Sequence, residues 1–132
     1  MASHPNTETL RVETAQFCSL AKQTLDDGQD FRFRASGQSM HPTIQDGDVV
    51  TIVPNGERGL KLGDIVMHRC GRGGLAVHRI IRTGSRGLGV LLYTRGDAFG
   101  ADTELIEEED VLGRVTEIER DGRNHRLDRH KD

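Results

Sequence analysis

Tryptophan is absent and tyrosine occurs once, so with four phenylalanines the core has to be built chiefly from Val, Ile and Leu. Lysine is almost missing: Lys22, Lys61 and Lys131 stand among 18 basic residues. No run approaches the roughly 20 apolar residues of a membrane span, and no basic start followed by an apolar stretch marks a secretory leader. A spanning protein is therefore not expected. The two cysteines, Cys18 and Cys70, lack metal-ligand spacing, and two thiols make no disulfide framework. Cys18, among apolar neighbours, reads as a core filler. These absences point to a reducing, cytoplasmic compartment, with no metal and no cofactor. A net charge of -3 and a pI near 6.1 remove the general electrostatic case for a nucleic-acid partner.

What is abundant is glycine, 16 of 132 residues, which suits many tight turns and a strand-rich single domain. Residues 1–7 are polar and offer nothing to hold them on a core. From Thr7 to Asp27 the apolar positions Leu10, Phe17, Leu20, Ala21 and Leu25 fall near helical spacing, and Gly28 follows as a stop signal. The period then changes to two. Phe31–Ala35, Val49–Val53, Ile65–Met67, Leu75–Ile81, Gly89–Thr94, Val111–Ile118 and Asn124–Leu127 read as strands, with Gly71–Gly74 turning one hairpin and Thr83–Gly89 another turn. Asp97 to Asp102 reads as a constrained loop, and Glu104 with Glu107 to Asp110 as a solvated acidic run. The expectation is a mainly β fold of folded-over sheets with one N-terminal helix, residues 1–30 forming the helix and residues 31–128 the domain it packs on.

The chemistry concentrates at Ser36-Gly37-Gln38-Ser39-Met40-His41-Pro42-Thr43, where a flexible approach and a rigid proline present one hydroxyl on a turn. Such a stretch also serves as plain loop punctuation. If Ser39 is a nucleophile it needs a base. The three lysines lie on the helix, in the lead-in to a strand and in the tail. Among the histidines, His4, His125 and His130 lie in the termini, His41 is in the serine loop itself, and His68 and His78 lie on opposite arms of a hairpin. His78 sits in an apolar strand, where a lone histidine is ordinarily a packed sheet residue. A carboxylate to orient the imidazole is available in the loop carrying Asp97 and Asp102.

Six blocks in order, Ser-Gly-x-Ser-Met-x-Pro-Thr, Gly47-Asp48-Val49-Val50, Gly63-Asp64-Ile65-Val66, Val77-His78-Arg79-Ile80-Ile81, Thr94-Arg95-Gly96-Asp97 and Val111-Leu112-Gly113-Arg114-Val115, make residues 35–115 resemble the catalytic domain of the signal peptidase family, which is related to the self-cleaving repressors of the DNA-damage response. The resemblance implies a serine endopeptidase with Ser39 as nucleophile. No lysine stands at the matching block, and the histidine there is similar to the endoplasmic-reticulum, archaeal and sporulation type, which puts the base at His78 and an assisting aspartate at Asp102. It also implies a structural Asp97 that holds its loop through bonds to backbone, and an oxyanion and substrate site at Ser39 N–H with Ser36, Gln38 and Met40. The substrate would be an extended peptide or protein segment with small side chains near the scissile bond. An amphipathic helix stands where membrane-bound members carry an anchor, so the expected enzyme works without its own membrane span. Two other readings stay open: a non-catalytic peptide- or partner-binding module on the same fold, and a regulatory homodimer.

Overall fold

In the computed structural model, residues 7–56, 58–70 and 74–128 are described, with side chains from residue 15 onward. The polar start expected to fray and the Gly71–Gly73 part of the expected hairpin turn lie outside the described residues. Helix α1 (Thr7–Asp26) is followed by β1 (Phe31–Arg34), β2 (Val49–Val53), β3 (Ile65–Cys70), β4 (Gly74–Arg86), β5 (Gly89–Arg95), β6 (Thr103–Glu107), a short 3-10 turn (Glu108–Asp110), β7 (Val111–Arg120) and β8 (Arg123–Arg126). The fold is mainly β with one helix at the N-terminal end, as the composition and periodicity imply.

Helix α1 stops where a glycine permits it. Gly28 takes a positive φ of 81°, its N–H donates to Leu25 O, and the Gln29 N–H reaches back to Thr24 O. This paired return satisfies the last carbonyls of the helix. Ala21 and Leu25 are fully buried, and the Phe17 ring meets Phe31 and Phe33 edge-on, each at 5.3 Å. Burial of a Leu or Phe side chain is worth roughly 1.5–3 kcal/mol, so three contacts suffice to dock the helix. Leu20, read from the sequence as part of the apolar stripe, is exposed, and Cys18 is only half-buried. Leu10 lies outside the described side chains.

The strands form one antiparallel sheet in the order β1-β2-β7-β3-β4-β5-β6, with β8 paired to β7. Strand β7 is long enough to hold β3 along its first half and β8 along its second, with β2 on its other edge. At Gly113 the strands come so close that a Cβ would lie 2.4 Å from Val53 O. Side chains alternate between two cores. One, with Val50, Ile52, Ile65, Met67, Val115 and Ile118, packs under α1. The other, Val66, Ile80, Leu92, Ile106 and Val111, occupies the opposite face.

Two stretches differ from the sequence-based expectation. Strand β4 runs on through Arg86, where a turn was expected from Thr83, and the connection to β5 is only Gly87-Leu88. Residues 81–90 are exposed throughout, so no buried face imposes an alternating pattern, and backbone pairing alone continues the hairpin. Gly87, with φ of 59°, is the first central residue of that turn, where a primed turn requires glycine. The second is β6: its acidic side chains conceal a strand whose Ile106 enters the smaller core.

Candidate active site

The serine loop leaves β1 and returns to β2 over residues 35–48. The Ala35 N–H donates to Asp48 O and the Gly47 N–H to Ala35 O, which prolongs the β1–β2 ladder to the base of the loop. Gly37, at φ of 100°, sends its N–H to Asp46 Oδ1. Beyond the serine, the His41 N–H donates to Gln38 O and the Ile44 N–H to Met40 O, around a cis His41–Pro42 bond. Asp48 anchors the far side: its carboxylate takes two bonds from Arg120, at 2.9 and 2.7 Å, and the Gln45 N–H. The Arg120 hydrogen bond holds the Asp48 carboxyl below its ordinary pKa despite burial. The loop is thus tied at four points and presents Ser39 exposed at its tip.

Ser39 rests on the loop after β5. Its carbonyl accepts the Ala98 N–H at 3.0 Å, and Gly96 lies so close that a Cβ there would meet that oxygen at 2.2 Å. Met40 is buried, and its sulfur accepts the Asp97 N–H at 3.4 Å. Ser39 N–H has no partner among the described residues, so it is free to receive an oxyanion.

The histidine follows from register. His78 on β4 faces Val66 on β3 and shares a sheet face with Ile80; Ile80 pairs with Thr94, and Thr94 with Glu104. His68, two residues beyond Val66, lies on the same face. The smaller core therefore ends in a polar group of His68, His78, Thr94 and Glu104. The rings of His68 and His78 stand 5.6 Å apart, and a Glu104 carboxylate oxygen lies within 4.8 Å of a nitrogen of each. Nδ1 of His78 is shut off from solvent without a hydrogen-bond partner among the described residues. Burial, aided by His68, pushes the His78 pKa below its ordinary value, while Glu104 and Asp97 pull the other way.

Asp97 joins the two halves. Arg79, beside His78, donates from Nε and Nη2 to its two carboxylate oxygens at 2.9 and 2.7 Å, and Thr43 Oγ1 donates to Oδ2 at 2.6 Å. A third Arg79 nitrogen reaches Gly63 O. Burial alone would raise the Asp97 pKa, but the Arg79 and Thr43 bonds outweigh it and hold the carboxyl below the ordinary value. One carboxylate fixes the histidine strand against the serine loop.

Ser39 and His78 line the same cleft, of about 550 Å³, whose walls include Phe17 of α1, Phe33 and Ala35 after the start of β1, and Leu75 and Ala76 of β4. Strands four places apart in the sheet order share this cleft, so the sheet curls over on itself. Among the described residues, residues 74–78 of β4 pair with β3 alone, because β5 begins its pairing at Arg79. Over residues 2–116 the chain matches the model of the Peptidase S24-like family. The chain belongs to the Peptidase S24-like family. No curated protein matches it.

Membership in the Peptidase S24-like family supports a serine-peptidase-type activity at family level. Within this S24-like chain the residues singled out in the sequence are distributed unevenly. Ser36 joins Ser39 and His78 in the cleft, Met40 reaches it from the core, and Gln38 does not line it. Asp97 lies between the serine loop and the histidine strand, with side chains as its carboxylate's partners where backbone was expected. Asp102 is exposed and makes no hydrogen bond or ion pair among the described residues. The carboxylate brought to His78 is Glu104, assigned from the sequence to a solvated run. Its apolar neighbours Leu105, exposed, and Ile106, buried, give no alternating pattern in the sequence, and register with Thr94 is what places Glu104 inward. No helix among the described residues is long and apolar enough to cross a membrane.

Proposed function

We propose that this protein is a serine endopeptidase in which Ser39 attacks and His78 is the general base, the arrangement of the endoplasmic-reticulum, archaeal and sporulation signal peptidases. The observation that carries it is the shared cleft, with a serine on a fixed loop and, on the neighbouring wall, a half-buried imidazole whose pKa is held below its ordinary value. His78 Nε2 accepts the Ser39 hydroxyl proton as Oγ bonds to the scissile carbonyl carbon. Ser39 N–H receives the oxyanion. The imidazolium then gives its proton to the leaving amine, and water repeats the sequence on the acyl-enzyme. The substrate lies extended along the open edge of β4, residues 74–78, where main-chain bonds hold it beside Ala35 and Ala76 of the cleft wall.

For the orienting carboxylate we assign Glu104 in place of Asp102, because Glu104 is the one that faces the His78 ring. Its charge raises the His78 pKa, so Glu104→Gln should move the acid limb of the pH–rate profile to lower pH and reduce the plateau rate. Asp102→Asn should leave that limb in place. A profile shifted by Asp102→Asn and not by Glu104→Gln would reverse the assignment.

Ser39 Oγ makes no hydrogen bond to His78, which favours a second reading as a peptide-binding module on the same fold. A serine-reactive acylating probe separates the two. Covalent labelling that disappears in Ser39→Ala and falls sharply in His78→Ala supports the peptidase; wild-type protein that never labels supports the binding module.

A further inference from the structure

The polar group at the end of the smaller core has a donor set that peptide cleavage leaves unexplained. Orienting His78 requires one carboxylate, yet a second imidazole, His68, is completely buried against it. Arg69 O lies 2.9 Å from His68 Nδ1, and a carbonyl only accepts, so Nδ1 carries the proton and Nε2 bears the lone pair. That nitrogen points to Thr94 Oγ1 at 3.2 Å, inside the polar group. A backbone carbonyl holding one ring nitrogen while the other offers its lone pair is the outer support that metal-binding histidines use.

The remaining donors are close at hand. One nitrogen of His68, one of His78 and one oxygen of Glu104 lie within 4.8 Å of one another. Ligand bonds of about 2.0–2.1 Å in a tetrahedral site set donor separations of ~3.3 Å. Glu104 and His78 are only half-buried and less enclosed than the completely buried His68, which is the fixed point. Two imidazoles and one carboxylate suit zinc and its borderline neighbours; calcium and magnesium prefer oxygen alone.

We propose that His68, His78 and Glu104 bind one divalent transition-metal ion of the zinc class, and that the bound ion withdraws His78 from Ser39. The inhibition rests on the Ser39–His78 peptidase reading, whereas the binding does not. A nitrogen lone pair held by a metal accepts no proton, and a ring drawn towards His68 turns away from the cleft.

Chelator-treated full-length protein titrated with zinc chloride in a calorimeter should bind one ion. Cobalt(II) should give the visible absorption of a four-coordinate N/O site. Ser39→Ala should bind with unchanged affinity, while Glu104→Gln and His68→Gln should each lose at least about tenfold. His68 is a core residue, so the half-buried Glu104→Gln carries the decision if His68→Gln fails to fold. Labelling of Ser39 by the acylating probe should fall as zinc is added, with the calorimetric midpoint, and return with chelator. Absence of zinc binding, or binding that ignores both substitutions, overturns the site. Labelling unaffected at saturating zinc overturns the inhibition. Wild-type protein that never labels, yet binds zinc through these residues, sinks the peptidase reading alone.

Discussion

Gly96→Ala should slow acylation of Ser39 by about a hundredfold or more while the protein remains folded. A Cβ at position 96 meets Ser39 O at 2.2 Å, Ser39 C at 3.0 Å and Ser39 Cβ at 3.3 Å. The first two are backbone atoms and cannot rotate out of the way. Relief requires the serine loop and the loop after β5 to part by about 1 Å, and a misplacement of that size costs on the order of 10²-fold in a reaction that depends on aligned groups. The three nearest atoms all belong to Ser39, which is exposed, so the clash falls on no buried side chain. Far-UV circular dichroism and the acylation rate, measured together, check this. A rate within threefold of wild type would show that the loops separate without moving the hydroxyl.

Asp97→Ala should have the largest effect on stability. It strips Arg79 of a two-pronged partner and Thr43 of its acceptor, leaving a guanidinium half-enclosed with only Gly63 O to bind. Breaking a buried pair by removing one partner costs roughly 3–5 kcal/mol, and the one-third exposure of the Arg79 side chain reduces that to about 2–3 kcal/mol. Asp97→Asn, which keeps an acceptor but loses the charge, should fall between wild type and Ala in urea unfolding. The pH dependence has a definite sign. The folded pKa of Asp97 lies below the ordinary value of 3.8, so its contribution is complete above that value and is lost as pH falls through the folded one. The Ala variant lacks this acid-sensitive part, so the gap between the two proteins should narrow at low pH. A constant gap would remove the Arg79 pair as its cause.

Much of this architecture was legible because burial writes a period into the chain. The helix stripe of Ala21 and Leu25 and the alternating run of β1 each face a core on one side, and each could be read before any coordinates. The β4–β5 hairpin was read too short, with its turn from Thr83, since residues 81–90 have no buried face and therefore no pattern. The serine loop was legible from its glycine and proline. Glu104 was not, because the same carboxylates that make a run look solvated also occur at the polar end of a core, and only register with Thr94 tells the two apart. Asp97 was read as holding its loop through backbone. Its bonds to Arg79 and Thr43 join residues 18 and 54 positions away, and separations of that kind leave no local signal.

If substrate pairs with the single-edged stretch of β4 beside His78, as proposed, that pairing decides which proteins are vulnerable. Main-chain pairing carries no information about side chains, so what this edge demands first is a segment whose own amides and carbonyls are unengaged. A helix or an internal strand cannot offer that without unfolding, however suitable its residues. Cleavage of a folded protein is then governed by how often the target segment opens, and for a stable domain that is a rare event. Disordered tails and linkers meet no such delay. On the proposed reading, the choice among proteins would follow their local stability before it followed their sequence.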